Sequence, residues 1–158
     1  MIARWPQGSS QGKFVTNPTA RKFGFPRATV AETEHWLVLV RPQQPTFGSL
    51  VLVYKPEAAA FHELPSAAFA DLKSAIDGIE TLLSAAVGYQ KINYLMLMMV
   101  DKDVHFHVVP RYEGERTWSG HRFADAGWPG QPNLASNVAL SEDEQAALAA
   151  DFAARWRG

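Results

Sequence analysis

The stretch Asp103-Val104-His105-Phe106-His107-Val108-Val109-Pro110-Arg111 constrains this chain more than any other. Side chains alternate across an extended strand, so Asp103, His105 and His107 share one face while Val104, Phe106 and Val108 share the other. Such a strand packs one face on a core and presents two imidazoles and a carboxylate on the opposite face. Same-face neighbours lie roughly 6–7 Å apart along a strand, so one phosphate or one metal can touch both histidines. Five histidines occur in the whole chain and two of them fall here, which weighs against a chance polar face. Arg111 ends the strand with a cation suited to an anionic ligand.

The rest of the chain narrows the chemistry. A length of 158 residues predicts one domain that buries a core without staples. The sequence contains no cysteine, which excludes disulfides, thiolate nucleophiles and thiolate zinc sites. A formal net charge of −1 gives no electrostatic case for nucleic-acid binding. No apolar run reaches the length of a membrane span, and Met1-Ile2-Ala3-Arg4-Trp5-Pro6 lacks an apolar signal core. A soluble, cytoplasmic protein is the expectation.

Residues 1–27 read as an extended arm pinned by Trp5, Phe14, Phe23 or Phe25. A short strand over 28–33 precedes a better one at Trp36-Leu37-Val38-Leu39-Val40-Arg41. Residues 42–48 form a loop, and Ser49 to Tyr54 forms a near-continuous apolar strand antiparallel to its predecessor. Pro65 suits the first turn of a helix, Phe69, Leu72, Ile76, Ile79 and Leu83 give it one apolar stripe, and Gly88 stops it. Ile92 to Val100 reads as a buried strand, with Asp101-Lys102 as a tight turn into the strand that starts at Asp103. Residues 112–140 read as irregular. A capping box, Ser141-Glu142-Asp143-Glu144, then opens a terminal helix whose Leu148, Phe152 and Trp156 share one face.

These residues resemble the histidine-triad proteins. The family's signature alternates three histidines with apolar residues on a strand and commonly follows them with proline; His105 fits the middle slot and His107 the third. Upstream, the segment from Gln43 to Lys55 is similar to the family's Pro-x-Gly-His-Leu-Leu-Val-x-Pro-Lys segment. The resemblance covers roughly residues 28–112 and implies an α+β fold. That fold is an antiparallel sheet of about five strands with a covering helix and a C-terminal helix; residues 113–158 lie outside the resemblance and are expected to form an extension, with a loop and the terminal helix, packed on the core. It also implies no cofactor, and a homodimer. Four departures stand out. Asp103 replaces the first histidine, and Ser49 stands where a further histidine often sits. Arg41 lies where family members often place an acidic or amide residue against a ribose. Met98 and Met99 replace a Gly-Gln pair.

The resemblance implies a nucleotide-binding hydrolase or nucleotidyl transferase that acts at the α-phosphate of a dinucleoside polyphosphate or nucleoside phosphoramidate. The Nε2 of His105 would attack phosphorus, giving a nucleotidyl-histidine intermediate that water resolves. An imidazole near its unperturbed pKa is largely neutral at pH 7 and needs no strong base; a main-chain carbonyl or a neighbour can hold Nδ1–H and leave Nε2 free. His107 would bond phosphate oxygens or orient His105. Asn93, Arg111, Asp103, Arg41 and Ser49 are candidate substrate contacts. Asp103 has two readings: it fixes the tautomer of a neighbouring imidazole, or it pairs with Arg111 or Lys102. Two alternatives remain open at this level, a nucleotide-binding protein without catalysis and a metal-dependent enzyme using Asp103, His105 and His107.

Overall fold

The computed structural model describes residues 17–158. Trp5 and Phe14, two of the four expected anchors of the N-terminal arm, lie outside the described residues. Three α-helices occur among those described: α1 (Pro18–Lys22), α2 (Ser66–Val87) and α3 (Glu142–Arg155). The nine strands among the described residues are β1 (Thr29–Glu32), β2 (Trp36–Val40), β3 (Gln43–Gln44), β4 (Leu50–Tyr54), β5 (Lys91–Leu95), β6 (His105–Arg111), β7 (Glu115–Trp118), β8 (His121–Ala124) and β9 (Val138–Ala139). Five of them form one antiparallel sheet in the order β1-β2-β4-β6-β5, so the protein is α+β as expected.

Strands β2 and β4 are buried at every position because both faces of the sheet are covered. One face carries Trp36, Val38, Val40, Leu50, Leu52 and Val108 against α2 and α3. The other carries Leu37, Leu39, Val51 and Val53 against Ala20, Phe23 and Ala28. Each buried valine and leucine among them contributes about 1.5–3 kcal/mol by leaving water. The second face is the histidine face, because His107 pairs with Val51 and His105 with Val53 in the β4–β6 register.

Several local expectations change. Part of the extended arm is helix α1, since the Asn17 side chain accepts from the Ala20 amide and Pro18 fills the first helical position. Helix α2 is rotated from the expected stripe: Ala68, Ala75, Gly78, Ile79, Leu82 and Leu83 face the core while Phe69 is exposed. Small residues carry little hydropathy, yet they let this helix approach closely; a Cβ on Gly78 would come within 2.1 Å of the Trp156 ring. Pro65 caps α2 rather than lying in its first turn, and Gly88 ends it in the left-handed conformation at φ 63°.

The expected tight turn at Asp101-Lys102 is instead a longer loop over residues 96–104, and β6 begins at His105. Run-on hydrophobicity of Met96 to Val100 imitates a strand, but Met99 and Val100 are 84% and 86% exposed. The segment after Tyr112 contains a hairpin, β7–β8, whose turn places Ser119 and Gly120 at φ 49° and 79°. Positive φ at both turn positions matches the twist of the two strands. Strand β9 pairs with β3, and α3 carries the expected capping box.

Candidate functional site

His105 and His107 lie on β6, between β4 and the edge strand β5, on the sheet face closed by α1. They are 1% and 7% exposed, with ring centroids 5.0 Å apart at 83°. Phe23, the C-terminal cap of α1, packs against both rings at 5.9 and 5.8 Å. Beside the rings opens a cavity of about 350 Å³, lined also by Lys22, Arg41, Gln43, Asp101 and the apolar residues Leu97 to Val100.

The partners of the two rings fix where their protons are. Nδ1 of His105 lies 2.6 Å from the main-chain oxygen of Asp103. A carbonyl only accepts, so Nδ1 carries a hydrogen, and in the neutral ring the lone pair is on Nε2. Among the described residues nothing bonds that Nε2. His107 is the converse. Arg41 Nε–H, which only donates, meets His107 Nδ1 at 3.4 Å, so this ring carries its hydrogen on Nε2. Burial, the Arg41 charge and the neighbouring His105 push the His107 pKa down to about 4, against a smaller opposing pull from Asp101. His107 is therefore a neutral hydrogen-bond donor at physiological pH.

Arg41 is held by its loop. Its Nη1 donates to the Gln43 carbonyl at 2.5 Å, and the buried Gln44 side chain donates to the carbonyls of Arg41 and Ser49 at 2.6 and 2.8 Å. At the mouth, Lys22 pairs with Asp101 at 2.7 Å and ties α1 to the 96–104 loop.

Four expected substrate contacts lie elsewhere. Asp103 turns out of the cavity and accepts from Thr19 Oγ1 at 3.0 Å, so its carboxylate does not join the histidines in one cluster. Among the described residues no group of three His, Asp or Glu side chains is arranged to hold a metal ion. Ser49 is fully buried and donates to the Thr46 carbonyl at 2.8 Å. Arg111 is committed to both Asp125 oxygens at 2.7 and 3.1 Å, the Gly130 carbonyl at 2.9 Å and Asn93 Oδ1 at 2.8 Å. Asn93 and Arg111 border a separate cavity of about 640 Å³ with Trp128 and Gly130, which neither histidine lines. Strand alternation correctly puts Arg111 on the histidine face; a carboxylate fourteen residues on claims it. His121, on β8, bonds Glu144 of α3 and takes no part in the histidine cavity.

Sequence reasoning missed Lys22, Phe23 and Asp101. The Asn17-Pro18 pair was a legible helix start, but nothing local says that this short helix covers the histidine strand.

No family model matches the chain, and no curated protein matches it. Solved structures do. A histidine-triad protein from Sinorhizobium meliloti 1021 is 22% identical with a TM-score of 0.59, covering 88% of this chain and 94% of that one. A histidine-triad protein from Bradyrhizobium japonicum is 18% identical with a TM-score of 0.58, covering 97% and 98%. The diadenosine triphosphate hydrolase of Plasmodium falciparum is 10% identical with a TM-score of 0.61, covering 82% and 76%. The C. elegans NitFhit protein, 16% identical with a TM-score of 0.60, is matched over 81% of this chain, which spans only 27% of that longer one. The chain has the fold of the histidine-triad proteins.

Proposed function

We propose that this histidine-triad fold carries a nucleotide hydrolase or nucleotidyl transferase whose substrate α-phosphate sits in the cavity beside His105 and His107. One observation carries the reading: His105 has its Nδ1–H tied to a backbone carbonyl and its Nε2 unbonded beside a cavity. A nucleophilic imidazole needs that arrangement, since the lone pair must be available and the ring oriented. The diadenosine triphosphate hydrolase among the similar folds points toward the same class of substrate.

In the first step the Nε2 lone pair forms a bond to the α-phosphorus. The bond from phosphorus to the leaving group breaks and its electrons depart with that group. The imidazolium phosphorus adduct keeps its Nδ1–H on the Asp103 carbonyl, which disperses the new charge. Water then attacks phosphorus, the N–P bond breaks, and a nucleoside monophosphate leaves as the water proton passes to solvent. Throughout, His107 Nε2–H donates to a phosphoryl oxygen and Arg41 neutralises the anion. Single-turnover assays with a dinucleoside polyphosphate and a nucleoside phosphoramidate test this. Turnover by the native protein and its loss in His105→Ala is the expected result; a His105→Ala protein as active as the native one defeats the mechanism.

Nucleotide binding without turnover is the second reading, favoured by a specific observation. His107 stays neutral down to about pH 4, so no imidazolium stands ready as an acid for the leaving group. Calorimetric binding of adenosine monophosphate together with no turnover of either substrate class selects it.

A further inference from the structure

We propose that Arg41 is a positioning residue that holds His107 as its Nε2–H tautomer and aims that N–H into the cavity. The inference rests on the reading of the site just given and deepens it.

Arg41 Nε lies 3.4 Å from His107 Nδ1, and the opposite side of the guanidinium is anchored by the Gln43 carbonyl on Nη1 at 2.5 Å. Because the fork is planar and rigid, fixing Nη1 fixes the direction of Nε–H. The anchor itself is fixed. Gln44 is 1% exposed, and its side-chain oxygen accepts from the Gly48 and Ser49 amides at 2.9 and 3.2 Å while its nitrogen holds the Arg41 carbonyl. An isolated charge is expensive to remove from water unless something uses it. Arg41 is only partly exposed and, among the described residues, makes no ion pair with a carboxylate. Its fixed contacts are a ring nitrogen and a carbonyl, which leaves the cation to be neutralised by whatever occupies the cavity.

The consequence is a division of labour. With Nδ1 of His107 occupied by a donor, the proton of this ring sits on Nε2. With Nδ1 of His105 occupied by an acceptor, the lone pair of that ring sits on Nε2. One N–H donor, one lone pair and one guanidinium thus line the same cavity, matching an anionic phosphoryl group that is to be held and attacked. The groups facing His107 are Arg41 from the β2–β3 loop, His105 on its own strand, Asp101 from the 96–104 loop and Phe23 from α1, with Lys22 neutralising Asp101.

The test is long-range proton–nitrogen correlation NMR on histidine-labelled full-length protein, read for each imidazole across a pH titration. For the native protein the expected result is an unprotonated Nδ1 and a protonated Nε2 on His107, with a midpoint near 4. In Arg41→Met both His107 tautomers populate and the midpoint rises toward the ordinary imidazole value without reaching it, since the Arg41 charge is gone and burial, the larger cause of the lowering, remains. Arg41→Lys restores a charge but not the anchored Nε–H, and gives the same mixed tautomers. His105, tied to the backbone, keeps its tautomer in both variants and reports that the fold is intact. Either variant retaining the native His107 spectrum and midpoint overturns the proposal. The readout needs no turnover, so an inactive native protein with the expected spectra defeats the nucleotidyl reading alone.

Discussion

His105 and His107, two residues apart on one strand and 5.0 Å apart between ring centroids, carry their protons on opposite nitrogens. The difference comes from partners of fixed polarity, a carbonyl that accepts for one ring and a guanidinium that donates to the other. One imidazole thereby turns an unbonded nitrogen toward the cavity and its neighbour an N–H donor.

The carboxylate of Asp103 does not serve this arrangement; its backbone does. Asn keeps an oxygen for Thr19 Oγ1 and leaves the carbonyl that holds His105. Asp103→Asn therefore changes stability by no more than about 1 kcal/mol and leaves turnover within a few-fold of native. Denaturant unfolding and steady-state kinetics check both, and a hundredfold loss of kcat would return the side chain to the site.

Arg111 is a structural staple. Its partner Asp125 has a side chain only 1% exposed, so removing the cation strands a buried carboxylate. Arg111→Met is expected to lower unfolding free energy by about 3–5 kcal/mol. Adding Asp125→Leu recovers much of that loss, because a buried pair replaced by apolar groups costs far less than half a pair. Denaturant midpoints for the two variants measure it; a large rise in KM at unchanged stability would instead make Arg111 a ligand contact.

Acid should weaken the fold through His107. Its folded pKa of about 4 lies below the ordinary 6.5, so the unfolded chain binds a proton that the folded one refuses. The associated stability is complete above pH 6.5, is lost as pH falls toward 4, and changes no further below that. The window amounts to on the order of 3 kcal/mol. Unfolding midpoints between pH 7.5 and 4 should show this slope, and His107→Gln should flatten it.

The same neutrality bears on substrate choice. An acid aimed at the leaving group is worth roughly 10²–10⁴-fold in rate, and a neutral His107 supplies a hydrogen bond without a ready proton. Phosphoanhydrides, whose leaving groups depart as stable anions, should be turned over faster than phosphoramidates, which need protonation at nitrogen. Comparison of kcat for matched substrates decides it, and equal rates at pH 7 would mean that another group delivers the proton.

The sequence by itself determined the two-faced character of the histidine strand, though not its start, the apolar strands β2 and β4 and the capped terminal helix, because alternation, burial and capping are local patterns written in consecutive residues; the fold class came through the family resemblance those residues carry. It also bears on the orientation of one imidazole: the carbonyl that ties His105 lies two residues back along the same chain. Only tertiary structure decided the rest. Whether Arg111 meets a ligand depends on Asp125, fourteen residues on; Asp103 is claimed by Thr19 from eighty-four residues away, and His107 by Arg41 from sixty-six. Polar side chains are short-range competitors for the same few partners, and which competitor arrives first in space is set by how the sheet, the α1 helix and the loops pack, a relation that no spacing along the chain encodes.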